Sequence, residues 1–169
     1  MDDQQIEFYL KKMNAISKCK GIYCIDEFNA DLIETGHFVI LNTLPKANFE
    51  KKKNGQKEKI SGHWILLLAG KNLNDANTPV YFDPIGLLPQ NLDFVMNLLN
   101  CKTTWLYNNV SLQSLFSELC GYHVLYVVFF WVKGLAIDEI LLRKYQISSP
   151  FEFENDKLAK TFVSDLDLL

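Results

Sequence analysis

Apolar residues fall in short, patterned runs along the chain, separated by polar stretches and by glycine or proline. Ile6, Tyr9, Leu10, Met13 and Ile16 recur at helical spacing behind Asp2 and Asp3, which predicts an amphipathic helix ending near Cys19 with Gly21 as the break. Residues 22–25 form a short apolar run with no assignable role. Residues 37–41 (HFVIL) are rich in β-branched and large apolar side chains and predict a central strand, stopped before Pro45. Residues 63–69 and 80–83 are apolar runs on either side of turn chemistry at 70–79 (GKNLNDANTP), so they predict an antiparallel hairpin. A register centred on Leu73 sets His63 directly opposite Asp83, with Cβ atoms about 5 Å apart. A slip of one residue would turn one of the two to the other face.

Beyond the hairpin, residues 84–89 read as a loop, 92–99 as a helix and 103–110 (TTWLYNNV) as a further strand. Ser117 is a candidate N-cap for the segment that starts at Cys120. Residues 122–132 (YHVLYVVFFWV) are almost wholly apolar, and periodicity leaves helix and strand both open there. The run is too short to span a bilayer, which takes about 20 such residues, so it predicts a buried core element. Residues 137–145 look helical, and the tail from Ser148 is acidic with scattered apolar positions.

With 169 residues, 49% of them hydrophobic, the chain has the material for one substantial core, and residues 1–169 are expected to form a single domain. A net charge of −3 does not call for a polyanionic partner. The exception is local: Lys51, Lys52, Lys53, Lys57 and Lys59 fall in one stretch without an apolar residue. It reads as a solvated surface loop, with weak polyanion contact as the functional alternative. The acidic start (MDDQQ) is unlike a secretory signal, so an intracellular chain without signal peptide or membrane segment is expected. Cys19, Cys24, Cys101 and Cys120 are expected as free thiols, since a chain of this size folds without staples. A metal site built from Cys19, Cys24, Cys120 and a histidine is disfavoured, because the C-x4-C pair has no matching second pair.

The residue types for thiol chemistry are present in order: His63, Asp83, Gln113, Cys120. An imidazole and a helix N-terminus both favour thiolate over thiol, and the thiolate is the nucleophile. If the three side chains converge, His63 takes the thiol proton, Asp83 holds the imidazole tautomer, and Cys120 attacks an acyl carbon. Gln113 and the backbone N–H of Cys120 could then stabilise the oxyanion. Each piece alone has a bland reading: buried cysteines usually pack, a histidine before a strand is usually structural, and Asp-Pro is usually a turn. His123, three residues after Cys120, shares its helix face but lacks an obvious carboxylate partner, so a core or cleft-lining role is expected.

Gly62-His63-Trp64 opening a strand, Tyr81-Phe-Asp-Pro-Ile-Gly86 ending the next, and Gln113 seven residues before Cys120-Gly121 together resemble the adenovirus endoprotease (adenain) family. Relatives in virus-like mobile elements and the ubiquitin-like-protein proteases share the pattern, and residues 39–43 ahead of the histidine also fit it. The resemblance runs from about Gly21 to Lys133. It implies an α+β cysteine-protease fold, with a mixed central sheet flanked by helices and the nucleophile at the N-terminus of a buried central helix. It also implies His63 as base, Asp83 as orienting acid, Cys120 as nucleophile and Gln113 as oxyanion donor. Trp64 and Gly121 would border a narrow cleft that admits small residues before the scissile bond. The expected function is a thiol endopeptidase maturing capsid or other virion precursors in the virion and infected cell. The rivals are an isopeptidase removing ubiquitin-like modifiers, a related-fold acyltransferase and a catalytically silent binding module. The adenovirus enzymes carry Glu where this chain has Asp83. They are activated by DNA and a disulfide-linked peptide; nothing in this sequence requires a cofactor, and an activating peptide or DNA stays open without a residue to support it.

Overall fold

The computed structural model describes residues 1–29, 34–48, 62–70, 78–88, 105–145 and 152–168. The expected lysine-rich loop, the 92–99 helix, Cys101 and residues 71–77 of the turn lie outside them. The described part is α+β: a five-stranded mixed sheet with helices packed on it. Helix α1 (Asp3–Lys12) is closed at its start by a capping box between Asp2 and Gln5. It ends well before Cys19, because Asn14 takes a left-handed φ of 54° and a 3-10 turn, Ile16–Lys18, follows. Cys19 instead begins strand β1 (Cys19–Cys24). Gly21 therefore lies inside a strand, at a bulge with φ 154°, where a Cβ would fall 2.4 Å from the Tyr23 ring.

Strands β2 (Phe38–Asn42), β3 (Trp64–Leu68), β4 (Val80–Phe82) and β5 (Leu106–Tyr107) complete the sheet in the order β1-β2-β3-β4-β5. β2 is an interior strand, parallel to β1 and antiparallel to β3, and β3 holds the middle position. β4 pairs antiparallel with β3, and β5 runs parallel to β4. Alternate residues serve two cores. Phe38, Ile40, Trp64, Leu66, Leu68, Val80 and Phe82 face the helices, while Val39, Leu41, Ile65, Leu67 and Tyr81 pack with Ile25 and Phe28. Burial on both faces is why these strands read as continuous apolar runs rather than as alternation.

Helix α2 (Cys120–Val132) is the element whose type periodicity left open. It is apolar nearly all round because neighbours cover most of it: β3 lies on one side, and α1, α3 (Ile137–Lys144) and α4 (Glu152–Asp167) pack on others, leaving Tyr122, Phe129, Phe130 and Val132 half-buried. Tyr9 donates to Asp167 at 3.1 Å and Lys12 to the Leu166 carbonyl at 2.8 Å, tying the two ends of the chain together. Among the described residues no helix is long and apolar enough to cross a membrane.

Candidate active site

The hairpin register differs from the expected one by two residues. Leu66 pairs with Phe82, Leu67 with Tyr81 and Leu68 with Val80, so the register continued outward sets Ile65, not His63, opposite Asp83. Side chains alternate with a period of two, so a two-residue offset keeps His63 and Asp83 on one face as diagonal neighbours. Both residues also lie just past the strand ends, where the chain can bend toward its partner. Their side chains meet: His63 Nε2 is 2.8 Å from Asp83 Oδ1.

Each of the two is held by its main chain. Thr43, just beyond β2, donates its N–H to the His63 carbonyl at 2.9 Å and accepts the His63 N–H on its hydroxyl at 3.0 Å. Asn108 does the same for Asp83, accepting its N–H at 2.8 Å and donating to its carbonyl at 2.6 Å. Asn108 had no role in the sequence reading beyond lying in an expected strand. Among the described residues of that segment the strand is Leu106–Tyr107, and the asparagine side chain takes over the hydrogen bonding just after it. Gly86 (φ 74°) is a second unassigned contributor, since a Cβ there would fall 2.7 Å from the Val110 backbone. Only glycine allows the 110–111 segment to lie so close to the turn that carries Asp83.

Asp83 is fully buried, and its carboxylate is satisfied by His63, by the Ile85 N–H at 2.8 Å on Oδ1, and by the Tyr81 hydroxyl at 3.2 Å on Oδ2. Burial, together with the Asp83 charge, pushes the Tyr81 hydroxyl pKa far up, so it remains a donor to the carboxylate.

Cys120 is the first residue of α2, and its sulfur accepts the Trp64 N–H at 3.4 Å. Among the described residues no side chain caps the helix. The N-cap position is Leu119 rather than Ser117, whose hydroxyl is unpartnered among the described residues. The open N-terminus leaves its positive end to the sulfur. Burial disfavours the thiolate, but the hydrogen bond and charge of His63 and the N–H groups of Trp64 and Gly121 outweigh it, and the Cys120 pKa is lowered. His63 shows the complement. Burial disfavours the imidazolium, yet hydrogen bonds and charge from Asp83 and Cys120 raise its pKa to about 9. With Nε2 engaged by Asp83, Nδ1 is the ring nitrogen left for the sulfur.

Gln113 is buried beside this pair. Its Nε2 donates to the Ser117 carbonyl at 2.7 Å, which fixes the orientation of the amide and leaves the second N–H hydrogen unspent. Its backbone N–H reaches the Pro84 carbonyl at 2.9 Å, tying it to the Asp83 turn. His63, Trp64, Gln113 and Cys120 line one open cleft of about 700 Å³, with Leu115 and Phe116 on its wall. Those two side chains are 73% and 94% exposed, unusual for large apolar groups beside a cleft. Gly121, expected at the cleft, is buried and not among the residues that line it; Met1 packs over it and accepts the Trp64 indole N–H at 3.0 Å.

His123 departs from expectation in one respect. It is fully buried, as a core residue would be, but it has a carboxylate partner: Asp156 Oδ1 lies 2.8 Å from its Nε2. The partner comes from α4, in the tail that carried no legible role. Tyr145 occupies the other ring nitrogen at 3.2 Å, so His123 has none to offer Cys120.

No protein-family model matches the chain, and no curated protein matches it. The chemical reading of the site therefore rests on its geometry.

Thiolate and imidazolium coexist above the lowered Cys120 pKa and below about 9, the His63 value. Acyl transfer should fall as pH rises through about 9, when His63 loses the proton a leaving group needs, while thiol alkylation should not fall. In Asp83→Asn the Ile85 N–H would keep the amide oxygen toward His63, preserving the tautomer but removing the charge. The alkaline limb of kcat/KM is then expected to move down toward the ordinary imidazole range. An unmoved limb would show that the carboxylate does not hold the imidazolium.

Proposed function

We propose that the protein is a thiol endopeptidase of the adenovirus-endoprotease type, trimming capsid or other virion precursor proteins after small residues in the virion and infected cell. The observation that carries the reading is that His63, hydrogen-bonded to the buried Asp83, lines one open cleft together with Cys120, whose sulfur sits at a helix N-terminus without a side-chain cap.

The thiolate of Cys120 adds to the scissile carbonyl carbon, and the carbonyl electron pair moves to oxygen. The Cys120 N–H and the free hydrogen of Gln113 Nε2 are the donors available to that oxyanion. Collapse expels the amine, which takes the His63 proton and leaves a thioester. His63, now neutral, draws a proton from water as it attacks the thioester. The acid product departs, and the His63 proton serves the returning thiolate. Asp83 keeps Nε2 protonated throughout and stabilises the imidazolium.

Three features support a peptide substrate with small residues at the cut. Met1 and Trp64, hydrogen-bonded to each other, line the cleft beside Cys120. Leu115 and Phe116 offer an apolar wall for a side chain further along an extended peptide. The arrangement of the Gly62-His63-Trp64, Tyr81–Gly86 and Gln113–Gly121 motifs resembles that of the viral enzymes.

The test is a panel of Gly-X-Gly peptides set beside conjugates of ubiquitin-like modifiers. Cleavage of the peptides with conjugates left intact is expected. Efficient release of an intact modifier would reassign the site to an isopeptidase, and failure to cut either would reject the protease reading.

A further inference from the structure

We propose that Asp156 is a positioning residue for the oxyanion hole, clamping the loop that carries Gln113 to the helix that carries Cys120. The inference rests on the thiol acyl-transfer reading above and adds to it a part for the last helix, which lies beyond the reach of the motif resemblance.

The two oxygens of Asp156 point to two different halves of the site. Oδ1 meets His123 Nε2 at 2.8 Å, and Oδ2 accepts the Ser114 backbone N–H at 3.3 Å. His123 stands three residues after Cys120, on the same face of α2 and one turn deeper. It is fully buried and stacked on Tyr145 with ring centroids 5.7 Å apart, so the helix side of the clamp is rigid. Ser114 directly follows Gln113 and is the junction of its loop. Its carbonyl accepts the Ser117 N–H at 3.0 Å and its hydroxyl accepts the Phe116 N–H at 3.4 Å. The Ser117 carbonyl in turn fixes the Gln113 amide. Gln113 is thus held from the front by Pro84 and from behind, through Ser114, by Asp156.

An oxyanion hole needs its two donors at a set separation, and here one sits on a helix and the other on a loop. Asp156 bonds to both elements with one carboxylate. Asp156 and Ser114 are both almost wholly buried, so water cannot readily replace the lost acceptor when the carboxylate is removed.

Two reactions of the same sulfur separate this role from general support of the fold. Acylation by p-nitrophenyl acetate passes through an oxyanion; alkylation by iodoacetamide does not. In Asp156→Ala, kcat for acyl transfer is expected to fall about 10- to 100-fold with KM little changed, less than outright loss of a donor. Alkylation should stay within about twofold of wild type. In a Gln113→Ala background the same substitution should cost less than about twofold, because the group it positions is gone. Asp156→Asn keeps an acceptor for Ser114 and can meet His123 in its other tautomer, so it should recover most of the rate. If Asp156→Ala does not fold, Asp156→Thr takes its place: one hydroxyl can reach only one of the two groups.

Parallel loss of acylation and alkylation, or losses that multiply in the double variant, would overturn the clamp. Wild-type protein that alkylates but never acylates would instead overturn the acyl-transfer reading, and the clamp with it.

Discussion

Cys120→Ala is expected to lower peptide hydrolysis by on the order of 10⁶-fold, the scale seen when a nucleophile is removed from a triad that acts as a unit. The fold should survive, since the sulfur's tie to the sheet is a long 3.4 Å hydrogen bond from the Trp64 N–H and alanine suits a helix start. Labelling by a thiol-directed probe at neutral pH should vanish with it. Cys19 and Cys24 are poor competitors, because burial, with acidic neighbours, pushes each thiol up to about 11. Cys101 lies outside the described residues, so the labelling should be repeated in Cys101→Ser, where it is expected to persist. Turnover retained in Cys120→Ala would reject Cys120 as nucleophile. Labelling retained there would point to another thiol.

Gln113→Ala should lower kcat by about 100- to 1,000-fold and leave KM nearly unchanged. The expectation follows from how the amide is held. Ser117 accepts one hydrogen of Nε2, so the amide cannot present its oxygen to the cleft without losing that bond. The second hydrogen is free to meet a charge that exists only after the thiolate has attacked, and such an interaction appears in kcat rather than in ground-state binding. Alkylation of Cys120 by iodoacetamide should be unaffected, since no oxyanion forms. Unchanged turnover would remove Gln113 from the oxyanion hole, and a rise in KM alone would make it a binding residue.

The hairpin shows why part of the site could be read without coordinates. Two apolar runs around a polar turn specify an antiparallel pair, and the alternation of side chains fixes parity more firmly than register. The expected register was wrong by two residues, yet the His63–Asp83 contact exists, because an even offset preserves the face and both side chains reach past the strand ends. α1 went the other way. Its apolar spacing continues to Ile16, but Asn14 turns left-handed and the helix stops early. Periodicity reports which face is apolar and carries no information about where the backbone breaks.

The carboxylate partner of His123 is invisible in the sequence for the same kind of reason. Its partner Asp156 lies on a helix further along the chain than any local rule reaches. The bracing by Asn108 and the close approach at Gly86 are hidden in the same way. A buried asparagine bracing a carboxylate, and a glycine pressed on a distant backbone, look in a sequence like turn residues.

Local chemistry in the chain was enough to nominate a sulfur, an imidazole, a carboxylate and an amide, and to place two of them on neighbouring strands, because pleat and helix periodicities are properties of short segments. Which nitrogen faces which atom, which backbone braces each group, and that the last helix reaches the Gln113 loop were decided only when distant segments packed. Those contacts depend on how layers stack around one largely covered helix, and no short-range pattern encodes that.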